Sequence, residues 1–233
     1  MAEVDADEVL TTTRAVRRRL DPSRPVPLEL IRDCIDVALQ APAGSNLPRT
    51  RFVVVRDPVL RKGLADLYSE VYEGTYRESE GYIGRVATDD AGAARTQERS
   101  ARSADALADA LHEVDTIVIT CLEGARLDGA SAMASASLLG GVLPATWSFM
   151  LAARARGLGT CWTTMHMARE RDAAELLGIP FDRVQQVCLT PVAFTTGEKF
   201  GRARRPAVDD VLHVDGWDDS LPSAPDVRGL AAR

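Results

Sequence analysis

The most constraining feature of this sequence is its most apolar stretch, Ala132 to Ala155, where small and large apolar residues occupy nearly every helical turn. A helix that is apolar around most of its circumference has to be buried on most sides, within one core or across a subunit interface. The stretch carries more apolar surface than one modest sheet needs to cover, so both placements stay open. Gly157 and Gly159 follow it and predict where the helix ends.

Composition adds that the chain is an ordinary globular protein of 233 residues, 45% hydrophobic and 27% charged. Its 28 basic and 34 acidic side chains give a net charge of -6, which disfavours a general nucleic-acid binder. No apolar run approaches the roughly 18 to 20 residues of a membrane span, and Met1 to Leu20 begins acidic and ends in arginines, unlike a secretory signal. We therefore expect a cytoplasmic protein with neither nucleic acid nor a membrane as a partner.

The cysteines and histidines are too dispersed for a metal or disulfide site. Four cysteines stand far apart, without a CxxC pair or zinc-ligand spacing, and three histidines form no HExxH pattern. GxSxG and phosphate-loop motifs are missing as well. We expect no metal, and we expect the chemistry to come from a bound cofactor.

Apolar periodicity predicts one domain over residues 1–233 in which helices outnumber strands, with a flexible N-terminus and a C-terminal tail that starts near Ser220. Glu78 to Thr88 is predicted to be a surface loop. Besides Ala132 to Ala155, the predicted helices are Leu28 to Leu39, Lys62 to Tyr76, Asp89 to Glu113 and Glu170 to Leu177, and the predicted strands are Arg51 to Val55, Val114 to Leu122, Thr160 to Met165 and Val187 to Phe194.

Two basic clusters stand out in this acidic chain. The first places Arg14, Arg17, Arg18 and Arg19 within six positions, and the second runs from Lys199 to Pro206. Each could be solvated surface, the first as a helix end whose cations favour the helix dipole. Each could also hold a phosphate, because guanidinium groups match phosphate geometry.

A turn of small residues, Ala41 to Asn46, follows the helix that begins near Pro27. Small residues let a ligand approach the backbone, and Ser45 and Asn46 can offer directional hydrogen bonds. Many turns have this composition, so the turn indicates a ligand site only together with other motifs.

In this order, the motifs resemble the FMN-dependent nitroreductase family over roughly residues 9 to 217. Thr13 to Arg19 is similar to the family's Arg-Ser-x-Arg signature, and Pro42 to Asn46 is similar to its Pro-Ser-Ser-x-Asn turn. Leu151 to Thr160 resembles the buried helix and Gly-Leu-Gly segment beside the isoalloxazine ring. Arg202 to Pro206 resembles the C-terminal basic segment that holds the FMN phosphate.

Two departures from the family pattern concern the pocket. Ala15 stands where the family often has a serine, so one side-chain hydrogen bond to the cofactor is missing. After Asn46 the family commonly continues Gln-Pro-Trp, whereas this chain has Pro48, Arg49 and Thr50. The resemblance therefore implies a pocket of altered shape.

The resemblance implies an α+β fold, with a central mostly antiparallel sheet flanked by helices, in an intertwined homodimer with two FMN sites between protomers. It implies an FMN-dependent oxidoreductase that passes two electrons from NADH or NADPH to an electron-poor small molecule such as a nitroaromatic or quinone. A flavin-sequestering protein with little turnover, and a flavin enzyme with another reductant such as a deazaflavin, are the alternatives. The residues implied to bind the cofactor are Arg14, Ala15, Arg17, Pro42, Ala43, Gly44, Asn46, Gly159, Thr160, Arg202 and Arg204.

Individual side chains then take expected roles. Arg17 is expected at the N1 and C2 carbonyl edge of the flavin, where a cation stabilises the anionic reduced form. His166 is a candidate proton donor to the acceptor, although a lone histidine is more often structural. Trp162 either stacks near the ring or fills the core. Tyr68, Tyr72 and Tyr76, at a spacing of four, form a stripe that belongs to the core or lines the open side of the flavin.

Overall fold

A five-stranded sheet forms the centre of the computed structural model, which describes residues 5–86, 91–197 and 199–223. The strand order is β1-β5-β3-β2, and β4 pairs with β5. All of these pairings are antiparallel, which confirms the predicted fold class. The strands are β1 (Leu20–Asp21), β2 (Thr50–Val55), β3 (Thr116–Glu123), β4 (Leu158–Thr160) and β5 (Val184–Thr195).

Helices cover both faces of the sheet because the central strand β3 is buried on both sides. Ile117 and Ile119 point into one apolar cluster, while Val118 between them points into the other, as the two-residue period of a strand requires. The helices are α1 (Ala6–Thr12), α2 (Leu28–Ala38), α3 (Pro58–Val71), α4 (Ala91–Ala110), α5 (Ala132–Ala155) and α6 (Glu170–Leu177).

Helix α3 begins four residues earlier than the predicted Lys62. Asp57 caps it by accepting hydrogen bonds from the amides of Val59 (2.9 Å) and Leu60 (3.1 Å), and Pro58 occupies the first helical position. The helix continues after Val71 as one π-helical turn, Tyr72–Tyr76.

Helix α5 has the predicted bounds, and its two halves differ in burial. In the C-terminal half, Phe149, Met150 and Ala153 pack with α2 against the sheet. In the N-terminal half, Met133 is 82% exposed. Trp147, in the C-terminal half, is also 41% exposed. Contrary to the sequence expectation, α5 is long and apolar enough to cross a membrane, with 39% of its most apolar window buried. A core helix meets the same criterion, so this is weak evidence for a membrane span.

The predicted strand Thr160 to Met165 is wrong, because strand pairing ends at Thr160. Beyond it, Thr163 makes a single bridge to Leu189, and residues Met165–Arg169 form a 3-10 helix that leads directly into α6. Gly157, with φ +79°, ends α5 as predicted. Gly159 instead lies inside β4.

Helix α1 (Ala6–Thr12) lies near the N-terminus, for which the sequence predicted no helix, and it buries Val9 and Thr12. One strand boundary needs correction. Strand β5 is longer than predicted, since Val184 pairs with Glu123 at its start. The ends of the predicted loop (87–88) and of the C-terminal tail (224–233) lie outside the described residues.

Candidate anion-binding cleft

The two basic clusters meet in one cleft of about 690 Å³. Within the described part of the chain, six arginines line it and no aspartate or glutamate does. Such a concentration of guanidinium groups in a protein of net charge -6 suits a ligand with several negative charges. The arginines are Arg14, Arg17, Arg99, Arg202, Arg204 and Arg205.

Arg19 joins the two basic clusters although it does not line this cleft. Its guanidinium donates hydrogen bonds to the backbone oxygens of Thr196 (2.8 Å), Gly197 (2.6 Å) and Lys199 (3.0 Å). It also lies 4.2 Å from the centre of the Phe200 ring, and Arg154 lies 4.8 Å from the same centre. These contacts fix the start of the C-terminal basic segment beside the N-terminal one.

Strand β4 positions the N-terminal basic cluster through backbone contacts with residues 15 and 16. Val16 donates a 2.8 Å hydrogen bond from its amide to the Thr160 oxygen, and Ala15 forms a parallel bridge with Thr160. Gly159 allows this close approach, because a Cβ there would lie 2.8 Å from Cγ1 of Val16. Gly159 and Thr160 are buried under the cleft, and their predicted contact with a cofactor stays a prediction.

Large apolar side chains form another wall of the cleft. Trp147 and Met150 project from α5, and Trp162 comes from the segment after β4. Trp162 is half-buried and also packs against the core, while its stacking near the flavin ring stays a prediction. An aromatic and thioether wall beside a cationic one suits a ligand with a flat ring and an anionic end.

The turn at residues 42–46 lies elsewhere in the same chain. Gly44 packs against the N-terminal half of α5, where a Cβ on Gly141 would lie 3.4 Å from the Gly44 amide nitrogen. Gly44 lines a separate cavity of about 150 Å³ with Ser137 and Gly141. Within one chain, five of the residues predicted to bind the cofactor line the same cleft: Arg14, Ala15, Arg17, Arg202 and Arg204. The predicted residues of the turn do not line that cleft: Pro42, Ala43, Gly44 and Asn46.

Arg17 lines the cleft and lies near the buried Cys161. Burial raises the pKa of the Cys161 thiol, and the positive charge of the nearby Arg17 guanidinium opposes that rise. Burial also raises the pKa of Tyr68, to about 12, so both groups are neutral at pH 7. Among the described residues that line the cleft with Arg17, none is an aspartate or glutamate.

His166 lies away from the cleft lining and is fully buried. Burial lowers its pKa to about 4, so the ring is neutral at pH 7. Neither ring nitrogen has a hydrogen-bond partner within the described ranges. The geometry gives no support to the predicted role as proton donor.

The tyrosine stripe belongs mainly to the core. Tyr68 and Tyr72 are buried with stacked rings 6.0 Å apart, and Tyr72 donates a 2.9 Å hydrogen bond to Asp105. None of the tyrosines lines the cleft. Sequence reasoning missed Arg99 of α4 and Trp147 of α5 as cleft residues. Nothing in the sequence indicated which elements these two helices would face.

An antiparallel sheet covered by helices on both faces, with an arginine-rich cleft at one side, defines an α+β protein whose cleft suits an anionic ligand. The sequence model of the nitroreductase family matches residues 10–194. The chain therefore belongs to the nitroreductase family, and this membership supports an oxidoreductase activity.

Comparison with known proteins agrees with this family. An NADH dehydrogenase from Thermus thermophilus is 41% identical over 64 residues, which are 27% of this chain and 30% of that protein. The matched region thus spans less than a third of that relative. Iodotyrosine deiodinase, solved with FMN and 3-iodo-L-tyrosine, superposes with a TM-score of 0.64 at 18% identity, over 88% of this chain and 96% of the other.

A second solved structure has the same fold. It is an NADH dehydrogenase/NAD(P)H nitroreductase from Parabacteroides distasonis, with a TM-score of 0.61 at 20% identity, over 90% of this chain and 97% of the other. The nitroreductase-like fold predicted from the motifs is confirmed.

Proposed function

We propose that the protein is an FMN-dependent oxidoreductase that passes two electrons from NADH or NADPH to an electron-poor small molecule, such as a nitroaromatic or quinone. The meeting of the two basic clusters in one cleft is the observation that carries this proposal. We further propose that it acts as a single-domain protein in the cytoplasm.

The residues of the cleft fit FMN in charge and shape. Arg14, Arg202 and Arg204 would hold the phosphate dianion, since guanidinium groups pair with phosphate oxygens. Trp147 and Trp162 offer flat apolar surface to a ring system. When bound, FMN would supply the two-electron chemistry that these side chains lack.

Arg17 is the candidate for tuning the cofactor. It lines the cleft near buried Cys161 and is itself half-buried, so its positive charge is screened less by water than on the open surface. Its charge would favour negative charge at the ring edge. Arg17→Ala should therefore slow flavin reduction more than it weakens flavin binding, and equal losses would contradict this division of roles.

A homodimer would complete the site. In one chain the turn with Pro42, Ala43, Gly44 and Asn46 lies apart from the cleft, yet it packs against the same helix, α5. The exposed apolar side chains of α5, Met133, Leu143 and Trp147, provide a surface that a second copy would cover. We propose that the turn of one protomer joins the arginine cleft of its partner, so that two FMN sites form between protomers.

The test begins with the visible absorption spectrum of the purified protein and anaerobic addition of NADH or NADPH. We expect a stoichiometric FMN spectrum that bleaches with the nicotinamide and recovers with a nitroaromatic or quinone. A flavin that stays oxidised would favour sequestration or another reductant such as a deazaflavin. A colourless protein that also fails to bind added FMN would refute the proposal.

A pair of variants tests the phosphate assignment. Arg202→Gln removes a cation from the cleft and should weaken FMN binding by about tenfold or more, the effect of losing one charge-assisted hydrogen bond. Arg32→Gln, at an exposed position of α2 away from the cleft, is the matched control and should bind FMN like the wild type. Equal FMN affinity in both variants would contradict the assignment.

A further inference from the structure

Helix α4 contributes a polar wall to the cleft that neither basic cluster supplies. Thr96, Arg99, Ser100 and Ser103 all line it. Their spacing of three and four residues places them on one helical face. The C-terminal half of α4, with Ala104 and Leu107, is buried in the core and anchors the helix. Helix packing therefore fixes one guanidinium and three hydroxyl groups toward the cleft.

Arg99 is held in place without being neutralised. Its Nη2 donates a 3.2 Å hydrogen bond to Oγ1 of Thr96, which in turn donates a 3.0 Å hydrogen bond to the Gly92 oxygen. Among the described residues Arg99 forms no ion pair, whereas Arg102, one turn further on, pairs with Glu98 at 2.6 Å. Arg99 therefore presents an uncompensated positive charge at a defined position.

The number of cations in and beside the cleft exceeds what one FMN phosphate needs. Arg99 also borders an adjoining cleft of about 450 Å³, which is lined by Arg14, Arg17, Arg18, Arg19 and Arg102 as well. A phosphate dianion is satisfied by two or three guanidinium groups, because each can donate two hydrogen bonds to it. The α4 face thus has capacity for a second anionic group.

We propose that Arg99, supported by Thr96, Ser100 and Ser103, binds a negatively charged group of the substrate that enters the cleft beside FMN. This inference rests on the proposed function. The group is a phosphate or carboxylate, because a guanidinium with neighbouring hydroxyl donors matches both. It belongs either to the electron donor, as the additional phosphate of NADPH, or to the electron acceptor, as a carboxylate.

The test compares substrates that differ in one anionic group. On the donor side these are NADPH and NADH in anaerobic flavin reduction, and on the acceptor side they are 4-nitrobenzoate and 4-nitrobenzyl alcohol. In Arg99→Gln we expect the apparent Kd or KM of the member of one pair that carries the additional anionic group to rise about tenfold or more, with less than about twofold change for the member that lacks it. The affected pair identifies the source of the charge.

Controls separate this role from folding and from cofactor binding. Arg95→Gln lies one turn earlier on α4, is exposed and lines no described cavity, so it should behave like the wild type. Arg99→Lys should recover part of the lost affinity, because it restores the charge without the planar fork. A binding titration of 4-nitrobenzoate into FMN-loaded protein gives a readout that does not depend on turnover.

Three outcomes would overturn the inference. The first is an unchanged preference of Arg99→Gln for the substrates that carry the additional anionic group. The second is an equal loss of affinity for substrates with and without that group. The third is release of FMN, which would assign Arg99 to the cofactor phosphate instead. Failure of the wild type to bind FMN, or to be reduced by a nicotinamide, would refute the proposed function itself. The FMN content and the anaerobic bleach of the wild type therefore distinguish the two failures.

Discussion

Gly159→Ala should reduce both the stability and the cofactor affinity of the protein. A Cβ at Gly159 would lie 2.7 Å from Cγ2 of Thr195 and 2.8 Å from Cγ1 of Val16. Carbon atoms in contact normally stay about 3.5 to 4.0 Å apart, so each neighbour would have to move by roughly 0.7 Å or more. Both are β-branched and stiff about χ1, which leaves backbone displacement as the main relief.

Overpacking of this kind costs about 1 to 3 kcal/mol. For a chain of this length each kcal/mol lowers Tm by about 2 to 4 °C, so Tm should fall by about 2 to 12 °C. Displacement of Val16 also shifts its neighbours Ala15 and Arg17 in the cleft. We therefore expect FMN affinity, measured by fluorescence titration, to decrease together with the Tm measured by calorimetry.

The matched control is Gly74→Ala. A Cβ at Gly74 meets nothing within 4 Å, and this residue lies in the π-helical turn after α3. Alanine there should leave stability unchanged or raise it by up to about 1 kcal/mol. If Gly159→Ala kept the Tm and the FMN affinity of the wild type, the argument that close approach at β4 positions the arginine cluster would be wrong.

Three further predictions concern buried groups. Arg126→Met should lower the free energy of unfolding in urea by about 3 to 5 kcal/mol, because the Glu170 carboxylate would lose its ion-pair partner while buried. The two side chains lie 2.8 Å apart, and that of Glu170 is only 10% exposed. A loss below about 1 kcal/mol would contradict this reasoning. The pKa of His166 is about 4 in the folded protein and 6.5 in the unfolded chain, so the unfolded chain takes up a proton first as the pH falls. The free energy of unfolding should therefore decrease progressively from pH 6.5 to pH 4, by about 3 kcal/mol in total. His166→Met should abolish that slope in urea midpoints measured against pH, and an unchanged slope would assign it to other groups. All four cysteines are buried, so a thiol reagent at pH 8 should modify none in native protein and four in urea, and rapid labelling of the native protein would disprove their burial.

Sequence patterns were sufficient where burial follows directly from apolar spacing. The β-branched run in β3 predicted a central strand, and the long apolar stretch predicted α5 at its observed bounds. They failed at Thr160 to Met165, where apolar and β-branched residues suggested a strand. There the chain turns into a 3-10 helix because α6 follows at once and only Thr163 finds a strand partner.

Some features of the candidate site were predictable from the sequence, and others were visible only in the structure. The family resemblance predicted that Arg14, Arg17, Arg202 and Arg204 bind one cofactor, although almost the whole chain separates the two pairs, and the structure places all four in one cleft. Residue types that suit a phosphate are recognisable in a sequence, because guanidinium chemistry does not depend on the fold. The motifs did not indicate that Arg19 ties the two segments together through three backbone oxygens.

The sequence by itself was enough to recognise the family and the residue types that suit a phosphate, because motifs and side-chain chemistry are visible in the chain. The antiparallel α+β class followed from the resemblance to that family. Only the tertiary structure decided which groups share a cleft. It placed Arg99 of α4 in the same cleft as the two basic clusters, and it buried His166 away from that cleft. It also packed the turn at Gly44 against α5. Such placements depend on how helices pack on the sheet, and contacts between residues distant in the chain leave no periodic signal in the sequence.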